Sequence, residues 1–399
     1  MLSQVQLERY AEVLIWGLGA QRKHRLRPYD TVLLRSDPAA LPLAEAVYRG
    51  LLRRRLHVIP RFSSSPAMEK DFFTLSDSTQ RRRIHAGEKE LCADLHGLIS
   101  LHAPESLTHL KDVDPKRMSE VAIARKPLRD IWDQREAQGD FSWTLCTYPT
   151  PELARKARLS LPAYTAQIVK ACLLDAKDPV RRWRDMYRDC QGIKRWLKSL
   201  DMDMIRVETE SMDLEIRLGR RRCFQGISGA NIPSFEVFTS PDWRGTRGVY
   251  FANLPSFRSG NIVRGVRLEF RDGRVVKATA SQGESFLKKT LAADPGACRI
   301  GEFSLTDVRF SQIDRFMADT LFDENFGGRN GNCHVAVGAS YADTFDGDPA
   351  RLTPALKRSL GFNESSVHWD MVNTEAKRVS ARLRRGGRAT VYEKGRFCC

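Results

Sequence analysis

Hydrophobic and polar positions follow two different periods along this chain, and the change comes near residue 200. In the first half, "TVLLRS" (Thr31 to Ser36) is a short apolar run of the kind a buried strand needs. "LPLAEAVYRGLLRRR" then spaces its apolar residues as a helix does, and "LHVIPRF" reads as a second strand. Such a strand, helix, strand succession predicts a parallel sheet. "LHGLISLHAP" (Leu95 to Pro104) adds a third strand, helical segments follow, and the opening "MLSQVQLERYAEVLIWGLGAQRKHRLR" reads as an amphipathic helix. From about Met204 the texture becomes short alternating segments between glycine turns: "MIRVETES", "MDLEIRLG" and "GVRLEFRDGRVVKATAS", the last broken by the hairpin signal "RDGR". The pattern predicts an α/β N-terminal domain with a parallel sheet over residues 1–200. An α+β domain with mostly antiparallel strands is expected over 201–399.

Composition narrows the class. With 42% hydrophobic and 29% charged residues this is an ordinary globular chain, and 399 residues exceed what one core usually organises. No apolar run approaches the roughly 18 residues of a membrane span, and the first helix lacks the pattern of a signal peptide, so a cytoplasmic protein is expected. The nine cysteines are scattered without C-x-x-C spacing, which argues against a disulfide framework and against a cysteine-type zinc site. The one glycine cluster near the early strands, "WGLGAQR", lies in the first helix rather than after a strand, so it is not a dinucleotide fingerprint. The net charge of +16 sits mostly in the first half, where 35 Lys+Arg face 24 Asp+Glu, against 30 and 25 in the remainder. It is carried by helical runs such as "DPVRRWRDMYRDCQGIKRWLK" with no nucleic-acid module or stacking motif, so nucleic acid is not expected as the main partner.

The candidate chemistry lies in the second half. In "SSVHWDM", His368 and Asp370 stand two apart, so in an extended segment both side chains point to one face while Val367, Trp369 and Met371 pack on the other. Of eight histidines only His334, in "GNCHVAVGASY", and His368 fall in this half. Three glutamates have comparable settings beside Gly or Pro turns and among apolar neighbours: Glu236 in "NIPSFEVFTSP", Glu302 in "GEFSL" and Glu324 in "LFDENFGG". Any one of these alone is most simply a paired or exposed group. Three Glu, one Asp and two His together form a mixed oxygen and nitrogen set suited to two divalent ions, and two-metal hydrolysis is the class they indicate.

The blocks "NIPSFEVFTSP", "GEFSL", "TLFDENFGGRNGNCHVAVGASY" and "GFNESSVHWDM", in that order, resemble the dinuclear metallo-aminopeptidases of the aminopeptidase T, aminopeptidase S and PepS type. "WTLCTYPTPELARKA" (Trp143 to Ala157) resembles a block these enzymes carry upstream. The resemblance implies a metal-dependent aminopeptidase whose site residues carry over position by position. It implies Glu236, Glu302, Glu324, His334, His368 and Asp370 as ligands of two divalent ions, zinc, cobalt or manganese, with Glu302 bridging. Tyr341, seven residues beyond His334, matches the family's catalytic tyrosine and is expected to donate to the oxyanion. Glu302 is the candidate general base and Glu364, in "FNESS", a second one. Peptides with a free N-terminus are the implied substrates, and a homodimer the implied assembly. One departure is the loop "NFGGRNGNC", where related long-loop members carry an acidic residue and a histidine at the places of Arg329 and Asn330. A two-metal phosphoesterase and a non-catalytic basic scaffold that binds nucleic acid stand as alternatives. The first would need a phosphate-cradling glycine loop, which is missing, and the second would be expected to have lost ligands.

Overall fold

The computed structural model describes residues 1–20 and 22–399, which divide into two compact units. The first comprises Met1–Arg182 with Ser228–Pro233 and Ser259–Asn261, and the second Trp183–Ile227, Ser234–Arg258 and Ile262–Cys399.

The first unit is built on a parallel sheet in the order His57–Phe62, Thr31–Ser36, Gly97–His102, Ser142–Thr147, Asn231–Ile232. The three strands expected from apolar runs are present, and Thr31–Ser36 and Gly97–His102 are the ones most thoroughly buried. Ser142–Thr147 escapes a hydropathy reading because, Cys146 apart, its buried positions are polar. Ser142 Oγ donates to the Leu18 carbonyl at 2.6 Å and Thr144 Oγ1 to the Gly229 carbonyl at 2.8 Å, so burial here rests on paired hydroxyls. The opening helix spans Gln4–Ala20 and buries Tyr10, Val13, Leu14 and Leu18. Gly17 lies inside it for packing, since a Cβ there would stand 2.5 Å from the Gly229 carbonyl oxygen.

The second unit contains two antiparallel sheets. One has eight strands, running from Arg274–Thr279 through Val266–Arg271, Arg247–Ala252, Asp213–Arg217, Met202–Glu208, Arg378–Leu383 and Arg388–Glu393 to Arg396–Phe397. The expected "RDGR" hairpin joins its first two strands, pairing Arg271 with Arg274. The other has five strands in the order His368–Asn373, Asn332–Gly338, Ile300–Thr306, Glu236–Thr239, Gln225–Gly226. Buried tyrosines tie the sheets together, Tyr250 donating to the Met371 carbonyl at 2.6 Å and Tyr392 to the Thr306 carbonyl at 2.7 Å. Both are enclosed apolar rings whose hydroxyls find a backbone acceptor, the condition for burying tyrosine cheaply. The α/β first unit and the antiparallel second unit match the fold class read from the sequence. Among the described residues no helix is long and apolar enough to cross a membrane.

Candidate metal centre

Register in the five-stranded sheet explains how residues from four sequence blocks meet. Directly opposed residues of antiparallel strands share a face, and every second residue does so along a strand. Glu236 opposes Thr306, His334 opposes Ser304, and Ala336 opposes both Glu302 and Asp370, while His368 opposes Gly338. The even-numbered positions therefore present Glu236, Glu302, His334, His368 and Asp370 on one face. The odd-numbered positions put Phe303, Leu305, Val335, Val337, Trp369 and Met371 into the core on the other. The register shifts between Ile300 and Glu302, and a Cβ on the intervening Gly301 would stand 2.3 Å from the Ala339 carbonyl oxygen. Glycine admits this bulge, which aims Glu302.

The side chains converge closely. His334 Nε2 lies 3.1 Å from Glu302 Oε1, 3.2 Å from Glu236 Oε2 and 4.0 Å from Asp370 Oδ1. His368 Nε2 lies 3.4 Å from Asp370 Oδ1 and 3.6 Å from Glu302 Oε2. Two triads of potential ligands result, Glu236 with Glu302 and His334, and Glu302 with His368 and Asp370, each with its ligand atoms within 4.8 Å of one another. Glu302 belongs to both. His368 Nδ1 sits 2.9 Å from the Ala339 carbonyl, so the ring's N–H is committed there and Nε2 is left to ligate. His334 Nδ1 is buried without a hydrogen-bond partner among the described residues.

Glu324 enters from another direction. It follows the helical turn Thr320–Asp323, which Asp319 caps by accepting from the Leu321 N–H. The flanking residues of "FDEN" fix its place. The Asp323 carboxylate accepts from the N–H groups of Met317 (2.7 Å) and Asp319 (3.0 Å), and Asn325 Oδ1 accepts from the Phe235 N–H (2.5 Å), beside Glu236. Glu324 is buried and falls outside both triads, yet its charge is felt with those of Glu236 and Asp370. Tyr341 packs its ring 4.6 Å from that of His368 and 5.8 Å from that of Phe238. It keeps 44% of its surface accessible. Glu364 is not brought in, since its carboxylate lies 3.5 Å from Lys357 Nζ and is largely exposed. Arg329 is exposed too, and the loop beside it is anchored by buried Lys377, whose Nζ is 3.3 Å from the Gly331 carbonyl.

Electrostatics show what the cluster requires. Burial pushes the Glu302 carboxyl up to about 7, with the Glu236 charge adding to the rise against the opposing hydrogen bond from His334. Burial, then the charges of Glu236 and Asp370, hold the Glu324 carboxyl well above its usual range. Burial opposes charge on His368 as well, but Asp370 and Glu302 outweigh it and raise the imidazole to about 9. Four carboxylates and two imidazoles thus compete for too few protons in a desolvated space, where an unpaired ion costs several kcal/mol. Divalent cations answer that demand, and the oxygen and nitrogen donors are of the type they take. The residues fit a metal centre.

Ser304 and Arg258 were not singled out in the sequence. Ser304 Oγ donates to Glu236 Oε2 at 3.1 Å, and Arg258 donates to the His368 carbonyl at 2.6 Å. Ser304 was available from the same alternation that exposes Glu302. Arg258 carries no such signal, because it reaches the centre from a distant segment.

The sequence profile of the thermophilic metalloprotease (M29) family matches residues 3–397. This chain belongs to that family. The resemblance drawn from its sequence blocks is therefore borne out across nearly the whole length. Similar proteins include aminopeptidase PepS of Streptococcus thermophilus, 26% identical over 98% of this chain and 97% of that protein. Aminopeptidase 2 of Geobacillus stearothermophilus is 30% identical over 77% of this chain and 78% of its own length. Among solved structures, wild-type AmpT from Thermus thermophilus superposes with a TM-score of 0.81 at 21% identity, covering 99% of each chain, and shares the fold. The chain is a metal-dependent peptidase, and as an M29 member it has a use for the carboxylate-rich face described above.

Proposed function

We propose that this M29 chain is an aminopeptidase that releases the N-terminal residue of peptides at a centre of two divalent ions. The observation that carries the reading is Glu302, shared by two ligand triads and facing a different imidazole with each oxygen. Glu236 and His334 complete one ligand set, His368 and Asp370 the other, and Glu324 supplies a further buried carboxylate beside them. Mixed carboxylate and imidazole donors accept zinc, cobalt and manganese alike. When bound, such ions supply Lewis acidity and acidify water toward neutrality.

The chain's own groups have distinct tasks in this reading. Glu302 would hold both ions, one through each triad, and would receive the proton of the attacking water only through an oxygen not taken up as a ligand. Desolvation, followed by the charges of Glu302, Asp370, Glu324 and Glu236, holds the Tyr341 phenol well above the usual tyrosine range, so it remains a hydrogen-bond donor. From its place against His368 it donates to the oxyanion that develops on the scissile carbonyl. The surplus of carboxylates over imidazoles suits a substrate that presents a cationic α-amine, which favours an exopeptidase over a phosphoesterase. We further infer a cytoplasmic homodimer with no nucleic-acid substrate. The deciding assay compares leucyl-4-nitroanilide, its N-acetylated form and bis-4-nitrophenyl phosphate, with and without chelator. Cleavage of the free-amine substrate alone, abolished by chelation, is expected. Equal cleavage of the acetylated substrate, or of the phosphodiester, overturns the reading.

A further inference from the structure

The second unit holds a groove of about 1100 Å³ lined by none of the residues of the metal centre. Two arginine-rich turns, far apart in sequence, form its walls. One is Arg220–Arg222, and the other is the hairpin between Arg378–Leu383 and Arg388–Glu393, which contributes Arg382, Arg384 and Arg388. With Lys198, seven cations line the groove against three carboxylates, Asp201, Asp203 and Asp346.

Those carboxylates are already engaged. Asp203 is paired with Arg382 at 2.7 Å and Arg384 at 3.2 Å, Asp201 with Arg384 at 3.4 Å, and Asp346 with Lys198 at 2.9 Å. Arg220, Arg221 and Arg388 form no ion pair among the described residues, and the Arg221 guanidinium is spread over the Phe345 ring at 4.3 Å. Arg382 and Arg388 stand directly opposite one another in the hairpin, an arrangement that repels. A concave wall concentrates the field of such charges, and the three lining aspartates are too few to balance it.

The planar guanidinium fork matches phosphate oxygens, and the groove is of the size that takes a small ligand. Interleaved carboxylates disfavour an extended phosphate backbone lying across it, whereas a compact anion can sit among the unpaired arginines. We infer that this groove binds a compact oligophosphate, inorganic tripolyphosphate or the triphosphate of a nucleotide, at a site separate from the metal centre.

The test is calorimetric titration of the metal-loaded protein with tripolyphosphate, ATP and a single-stranded oligonucleotide, repeated on the double variant Arg220→Ser, Arg388→Ser. Both side chains are exposed, so the variant is expected to keep its thermal midpoint or gain slightly from relief of the Arg382 and Arg388 repulsion. Tripolyphosphate or ATP affinity should fall by about tenfold or more, the loss of one or two charge-assisted contacts. Unchanged affinity in the variant places the anion elsewhere, the metal centre included, and overturns the proposal. So does the absence of binding by the parent protein, or a preference for the oligonucleotide over both small anions.

Discussion

The two oxygens of Glu302 face different imidazoles, Oε1 toward His334 at 3.1 Å and Oε2 toward His368 at 3.6 Å, whereas Glu236 reaches only His334. The consequences of removing them should differ. Glu302→Gln is expected to deplete both ions, and Glu236→Gln mainly one, as measured by elemental analysis after gel filtration. Equal depletion would remove Glu302 from its bridging place. Tyr341 touches the site through ring packing and is in neither triad, so Tyr341→Phe should leave the metal content unchanged while lowering kcat by about 100-fold, the scale of one lost oxyanion donor. An unaltered kcat reduces it to a packing residue. The pair His368 and Asp370 was legible because period-two geometry alone aims both side chains to one face. Whether a side chain such as Arg258 arrives from elsewhere to donate to the His368 carbonyl is a tertiary fact that no local spacing carries.

At the level of elements, the turn before the ligand strand His368–Asn373 is held by one carboxylate. Asp294 accepts from Ser365 Oγ (2.9 Å), Ser366 Oγ (2.7 Å) and the N–H groups of Ser366 (2.8 Å), Gly296 (2.8 Å) and Ala297 (2.9 Å). Burial alone would raise its pKa, but these hydrogen bonds prevail and hold it below the usual aspartate value. A carboxyl depressed in the folded state contributes stability above its unfolded pKa, about 3.9, and that contribution is lost as pH falls through the folded value. Asp294→Asn should therefore cost about 1.5–3 kcal/mol at neutral pH, the range for hydrogen bonds to a charged group. The difference in thermal midpoint from the parent should shrink below about pH 4. A gap that stays constant with pH would mean the charge is irrelevant to the turn. Strands such as Thr31–Ser36 were readable because their burial is apolar. Ser142–Thr147 was not, since its inward positions, Cys146 apart, are hydroxyls satisfied by partners the sequence does not reveal, and Asn231–Ile232 is too short to carry a pattern.

For the whole molecule, the sequence placed the charge excess on first-half helices, whereas the groove in the second unit draws its cations from turns that only folding brings together. The metal centre is the converse case, since its residues were recognisable block by block and the fold supplied only their register. That register gives the centre a structural role, because four strands of one sheet end their site-facing side chains on it. Removing the ions leaves buried carboxylates facing one another, with only protons to relieve them, and ligand binding at a thousandfold excess over Kd stabilises by about 4 kcal/mol. Chelation should therefore lower the thermal midpoint and speed amide exchange in Glu236–Thr239, Ile300–Thr306, Asn332–Gly338 and His368–Asn373. The first-unit strands Thr31–Ser36 and Gly97–His102 lie in a separate compact unit and should keep their protection, because local opening follows the cooperative unit that lost its contacts. Hydrogen exchange read by mass spectrometry, before and after chelation and again after cobalt or zinc is restored, resolves these segments. Uniform loss of protection across both units would show that the ions stabilise the chain as a single cooperative body, and unchanged exchange in the four ligand strands would show that they hold no metal.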